Sequence, residues 1–285
     1  MGKGKKKGGK GGGFSSYGGN NPSAGTRRPS HGSIHNEHSS HQRSTISKKQ
    51  KKKQQRREQA DKKEQQPHEE RESKSTSSGC PYSSHKPTLL LGEGDFSFAA
   101  ALALVWGDAS QLVATAYDEE APATIKYSSL AENVEAIRSL GGTVLFGVDA
   151  MKAAAHKQLR TRAPFDRIIF NFPHTGSGIK DQKRNILSNQ ELLRASFQSC
   201  DSLLNAGGEY HITLKKGEPY SSWNVVIIAK MCGYKVHHCT PFRPELFPGY
   251  AHKRTIGDEH AGVGVGPNAE IAGARTYAFA QHSHS

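Results

Sequence analysis

Residues 89–98 read LLLGEGDFSF, an apolar run broken by two glycines and two acids. Gly92 and Gly94 let backbone pass close to a bound group, and the stretch that follows, FSFAAALALVW, opens a helix whose first amides face the turn. A P-loop is excluded, because no Gly-Lys-Ser/Thr follows. A dinucleotide turn of the form GxGxxG fails at its third glycine, where Ser97 stands. Glu93 and Asp95 also flank the place where a pyrophosphate would lie, and two carboxylates there repel it. A cationic ligand without phosphate suits this turn better. S-adenosylmethionine has that character: its sulfonium and ammonium are positive, and its ribose hydroxyls seek carboxylate acceptors. Gly92, Glu93, Gly94, Asp95, Phe96 and Ser97 are therefore the expected cofactor loop. Asp118 and Asp149 close the next two apolar runs and extend the set, Asp118 toward the ribose hydroxyls and Asp149 toward the adenine amine. Each also suits a helix N-cap.

Seven apolar runs must carry these residues: TLLLG (88–92), QLVATAYD (111–118), TVLFGVD (143–149), FDRIIFNF (165–172), GEYHITLK (208–215), YKVHHCTPF (234–242) and TYAFAQ (276–281). Helical faces lie between them, with Leu130, Val134 and Ile137 on one and Leu193, Phe197, Cys200 and Leu204 on another, at spacings of three and four. Gly141, Gly207 and Gly233 stand where left-handed helix caps are expected. The alternation predicts an α/β domain with right-handed crossovers and a mostly parallel sheet of about seven strands, covered on both faces. A Gly-rich loop without a helix, residues 255–273, precedes the seventh run and predicts an antiparallel last strand. In such sheets ligands bind beyond the carboxyl ends of the strands, where strand order reverses. LLLGEGDFSF occupies the first such turn.

GEGDFSFAAALA, followed by AYD, ENV, FGVDA, FDRIIFNFPHTG and FPGYAHKRT, resembles the Rossmann-like methyltransferases that modify N3 of a uridine in large-subunit ribosomal RNA. The resemblance covers roughly residues 87–281, and GEGDFSF and FNFPHTG are specific as a pair. It implies a class I methyltransferase fold, dependence on S-adenosylmethionine, and ribosomal RNA or pre-ribosomal particles as partners. Methyl transfer needs an in-line approach of nucleophile, methyl and sulfur, so the protein contributes positioning and a suitable field. The fourth run ends in Asn171, Phe172, Pro173 and His174. Methyltransferases of exocyclic amines carry Asn or Asp, two prolines and an aromatic at this place; this chain departs from them, with Phe172 second, one proline and His174 last. Asn171 is expected to grip the base edge and Phe172 to pack beneath it or support the cofactor. His174 is expected to take the imide proton of uridine N3 or to orient the uracil carbonyls, the plain alternative being a cap on the next turn. Lys180, Lys183 and Arg184, together with Tyr250, His252, Lys253 and Arg254, are expected to hold phosphates and stack a base, which must be extruded from structured RNA. The competing reading is a protein without catalysis that uses the fold to assemble ribosomal particles. The intact GEGDFSF, Asp118, Asp149 and NFPH speak against it.

Charge divides the chain. Residues 1–79 hold 19 Lys and Arg against 7 Asp and Glu, whereas residues 80–285 hold 20 against 19. A segment so basic and so poor in aliphatic residues is expected to be a disordered tail, apart from a transient helix over residues 48–63, and to meet polyanions. Its run KKQKKKQQRR resembles an import signal, which places the chain in the nucleus, in the nucleolus given the resemblance, with the cytoplasm as the alternative. Residues 80–285 form the expected methyltransferase domain. No apolar run approaches the roughly 18 residues that span a bilayer, and no signal-peptide core opens the chain. Cys80, Cys200, Cys232 and Cys239 lack CxxC spacing and read as reduced thiols. CGYKVHHC invites a metal, but it reads as a strand with no second ligand pair nearby, so no metal is expected. Without heptads or repeats, a monomer is expected.

Overall fold

A computed structural model describes residues 79–255 and 268–281. The expected tail, its transient helix, its import signal and most of the Gly-rich loop lie outside the described residues. In chain order the elements are β1 (Thr88–Leu91), α1 (Ser97–Trp106), β2 (Leu112–Thr115), α2 (Glu120–Lys126), α3 (Leu130–Ser139), β3 (Thr143–Leu145), α4 (Lys157–Arg162) and β4 (Phe165–Asn171). They continue through α5 (Gln182–Cys200), β5 (Leu204–Leu214), α6 (Val225–Met231), β6 (Tyr234–Pro241) and β7 (Arg275–Gln281).

All seven expected strands form one sheet in the order β3-β2-β1-β4-β5-β7-β6. The first five pair in parallel, and β7 lies antiparallel between β5 and β6. This is the Rossmann-like class I methyltransferase arrangement. Strand order reverses at β1, which has β2 on one side and β4 on the other.

The continuous apolar run of β1 follows from burial on both faces. Leu90 enters a core with α1 and α3, while Leu89 and Leu91 enter the opposite core with α5. Leu130, Val134 and Ile137 bury the inner face of α3. On the other side the Phe197 ring of α5 lies 4.8 Å from Tyr210, 5.0 Å from Tyr234 and 5.2 Å from Phe279. Such aromatic pairs contribute about 0.5–1.5 kcal/mol each beyond burial, so this cluster ties α5 to β5, β6 and β7.

Two details of the helical reading are corrected. Leu204 does not extend the α5 face; the helix stops at Cys200 and Leu204 begins β5. Gly207 caps no helix either. It lies inside β5 at φ 78°, where the register jumps from Phe165↔Leu204 to Arg167↔Glu209 and the extra residues bulge out. Gly141 and Gly233 do follow α3 and α6 in the left-handed conformation, at φ 87° and 86°. No helix among the described residues is long and apolar enough to cross a membrane.

Candidate active site

The turn after β1 is held in one shape by its neighbours. Gly92 has φ 64°, and a Cβ there would lie 2.5 Å from Phe170 Cε2, so both conformation and space require glycine. The Glu93 amide donates to the Thr115 carbonyl at 2.8 Å, tying the turn to β2. Asp95 is 3% exposed; one carboxylate oxygen accepts from the Ser97 amide at 3.0 Å and the other from Ser129 Oγ at 2.8 Å. Asn133 of α3 donates to the Asp95 carbonyl at 2.8 Å. Phe96, at φ 61°, caps α1 in a conformation rare for a bulky residue, and its buried ring meets Phe146 at 5.3 Å. Glu93 accepts from the Ala99 amide at 3.2 Å. Burial pushes its carboxyl up to about 8, with the Asp95 charge adding to the effect.

The facing wall comes from the end of β4. Asn171 Oδ1 accepts from Thr213 Oγ1 at 2.7 Å, which leaves its Nδ2 buried without a partner. Phe172 follows at φ 50°, with its ring 4.6 Å from His252 and 5.5 Å from Phe242. Residues 250–255, between β6 and β7, cross in front of both. Ser97 Oγ donates to the Ala251 carbonyl at 3.0 Å and Tyr127 OH to the Arg254 carbonyl at 3.2 Å. Lys253 Nζ stands 3.9 Å from Asp95 Oδ2. Burial first, and Lys215 second, push His252 down to about 4, so its imidazole is neutral at physiological pH. These segments enclose a small cavity of about 70 Å³, lined by Gly92–Asp95, Ser97, Asn171, Phe172, Tyr250, His252 and Lys253 among others.

The structure thus brings together most of the expected loop, the first half of NFPH and most of GYAHKR. The remaining expected residues stand elsewhere. Asp118 pairs with Lys126 at 2.8 Å, and Asp149 caps the 3₁₀ turn Ala150–Ala155 by accepting from the Met151 amide at 2.9 Å; neither lines the cavity. Pro173 is buried. His174 Nδ1 accepts from the Gly176 amide at 2.9 Å, the turn-capping role, and the ring is outside the cavity lining. Lys180, Lys183 and Arg184 are exposed on the approach to α5 and its first turn. Arg254 is tied to Glu270. Tyr127, Ser129, Asn133 and Thr213 shape the site and were not singled out in the sequence; Asn133 sits in the quoted ENV, but polar residues at helix starts carry no signal of what they clamp. A larger cavity of about 260 Å³ beyond β5, lined by Lys215, Lys216, Tyr220 and Arg275 among others, touches none of the loop. Size alone does not mark the site.

The reversal of strand order at a glycine-acid turn, faced by an Asn-Phe pair at the end of β4, defines a protein of the Rossmann-like methyltransferase class. Within that class the chain belongs to the BMT5-like family: residues 89–254 match its model, described as rRNA (uridine-N3-)-methyltransferase BTM5-like. It is 28% identical over 231 residues to the 25S rRNA (uridine(2634)-N(3))-methyltransferase of Saccharomyces cerevisiae, covering 63% of this chain and 69% of that one. It is 36% identical over 179 residues to the Arabidopsis thaliana protein At4g26485, covering 62% of this chain and 85% of the relative. The Arabidopsis thaliana heavy metal-associated isoprenylated plant protein 41 is 38% identical over 177 residues, 62% of this chain. There the chain spans about a third of the relative's length, 34%. Among solved structures, the 16S rRNA methyltransferase KamB aligns at 14% identity and a TM-score of 0.40, over 73% of this chain and 95% of that one.

Proposed function

We propose that this chain is an S-adenosylmethionine-dependent methyltransferase acting on N3 of a uridine in large-subunit ribosomal RNA, free or in a precursor particle. The observation that carries the reading is the meeting, at one cavity, of the glycine-acid turn with the buried, unpartnered amide of Asn171, in a chain of this family. The turn fits the cofactor. Gly92 leaves its backbone exposed at the turn, and Asp95 already faces the cation of Lys253, so positive charge is accommodated where a sulfonium and ammonium would come. When bound, the cofactor supplies an electrophilic methyl group.

The chain's own residues do the rest. Because Asn171 Oδ1 is engaged by Thr213, Nδ2 is left to donate, and the groups flanking uridine N3 are carbonyl acceptors. Phe172 offers a ring surface to the base. His252 is better placed than His174 for the proton-accepting role, because its ring lines the cavity whereas His174 stands outside the lining and caps the Gly176 amide. Asp118 and Asp149 reach ribose and adenine by exchanging the partners described above. Lys180, Lys183 and Arg184, exposed on the approach to α5 and its first turn, take phosphates, and the basic residues 1–79 add sequence-independent affinity. A nuclear, nucleolar location follows from that substrate.

Calorimetric titration of the full chain with S-adenosylhomocysteine, alongside Asp118→Ala, tests cofactor binding, and nucleoside mass spectrometry of ribosomal RNA from cells with and without the chain tests the product. Micromolar binding and a lost N3-methyluridine are expected. A folded chain that binds no S-adenosylhomocysteine, with the methyluridine unchanged, would overturn the enzyme in favour of an assembly protein.

A further inference from the structure

Strands β5 and β6 are not neighbours, since β7 lies between them. Glu209 of β5 stands opposite Ala280 of β7, and both His211 of β5 and His238 of β6 stand opposite Ala278. Alanine at these two positions leaves the space above β7 open, so side chains of the flanking strands can meet across it. A register shift between Val236 and His238 adds His237 as an extra residue. Consecutive residues of a regular strand face opposite sides, and this bulge turns two consecutive histidines to the same one.

The result is a compact donor set. His237 Nδ1 contacts Glu209 Oε1, and His238 Nδ1 lies 3.9 Å from the same oxygen. One ligand atom from each of the three residues lies within 4.8 Å of the other two. The second Glu209 oxygen is held at 3.0 Å by Nε2 of His211, a ring 5% exposed whose Nδ1 has no partner. A carboxylate fixed from behind by a buried imidazole is the way metal-ligating side chains are commonly oriented.

We propose that Glu209, His237 and His238 bind a divalent transition cation of the zinc class, which staples the edge strand β6 to β5 across β7. Two imidazole nitrogens and one carboxylate oxygen are a zinc donor set, with water as the fourth ligand on the exposed side. Ligand bonds of about 2.0–2.2 Å place tetrahedral donors roughly 3.3–3.6 Å apart, which the two exposed rings reach by rotation. Arg167 of β4, opposite Glu209, opposes a cation; the Glu209 charge offsets it. The cysteine-histidine stretch was set aside in the sequence for want of a further ligand, and Glu209, 28 residues upstream of His237, supplies it. Glu209 pairs with Arg167 and Thr213 with Asn171, so the cluster lies about 13 Å down the strands from the cofactor end and is separate from the proposed methyl-transfer site.

The test titrates the full wild-type chain and His237→Gln/His238→Gln with zinc chloride against a chromophoric chelator, and follows thermal unfolding of both. Histidines of residues 1–79 are common to the two chains and cancel. Wild type should bind one more equivalent of zinc, and its Tm should rise by about 5–10 °C at saturating metal while the variant's does not. His237→Gln alone, at an exposed position, should keep the metal-free Tm and lose the zinc-dependent rise, which guards against a double variant that misfolds. Equal stoichiometry in wild type and variants, or a wild-type Tm that zinc leaves unmoved, would overturn the site and leave the three groups as an ion-pair cluster.

Discussion

A carboxyl held protonated within the glycine-acid turn makes Glu93 the most informative single residue. Its pKa rises from an ordinary value of 4.5 to about 8 on folding. Between those values the folded chain keeps a proton that the unfolded chain has lost, so stability falls as pH rises through the window, by at most ~1.4 kcal/mol per pH unit. Glu93→Gln should flatten that fall in urea denaturation performed across it; a slope equal to wild type would refute the assignment. Gly92→Ala should cost about 2–4 kcal/mol, from left-handed strain together with the approach to Phe170, as read by the same denaturation. Asn171→Ala should lower the single-turnover methylation rate by about 10- to 100-fold while S-adenosylhomocysteine affinity stays within about twofold. The glycines and acids of the turn were legible because their types announce them. Phe96 and Phe172 were legible as members of motifs but not as left-handed residues, since nothing in a phenylalanine signals positive φ; tertiary packing imposes it.

Among the elements, the segment 250–255 sets the terms of entry. Lys253 Nζ stands 3.9 Å from Asp95 Oδ2, so under the proposed function it competes with a positive ligand and is indifferent to a neutral one. Lys253→Ala should raise the ratio of S-adenosylmethionine to S-adenosylhomocysteine affinity by about 3- to 10-fold, more at low salt than at high; an unchanged ratio would show that the ammonium plays no part in selection. Strand runs and the α3 face were readable because burial on one or both sides writes a period into the sequence. Leu204 was misplaced because an apolar residue just beyond a helix continues its spacing by chance, and Gly207 because a glycine that permits a bulge looks like one that ends a helix. The encounter of residues 92–97 with residues 250–255 left no local pattern. Ser97 and Ala251 are 154 positions apart, and only the topology joins them.

At the scale of the whole molecule, charge and sheet order divide the work. Removing residues 1–79 should weaken binding to a ribosomal RNA fragment and reduce the slope of log affinity against log salt, while S-adenosylhomocysteine affinity is unchanged; equal slopes with and without the segment would dismiss it as an RNA tether. The sheet contributes something different. Because β7 runs antiparallel between two parallel strands, the connection from Pro241 to Arg275 leaves and re-enters the sheet at the same rim as the glycine turn. Insertions or deletions in that connection alter the roof of the cavity without shifting a single strand register. Divergence of target choice within such a family can therefore be confined to one stretch of chain, while the apparatus that presents the methyl donor is inherited unchanged.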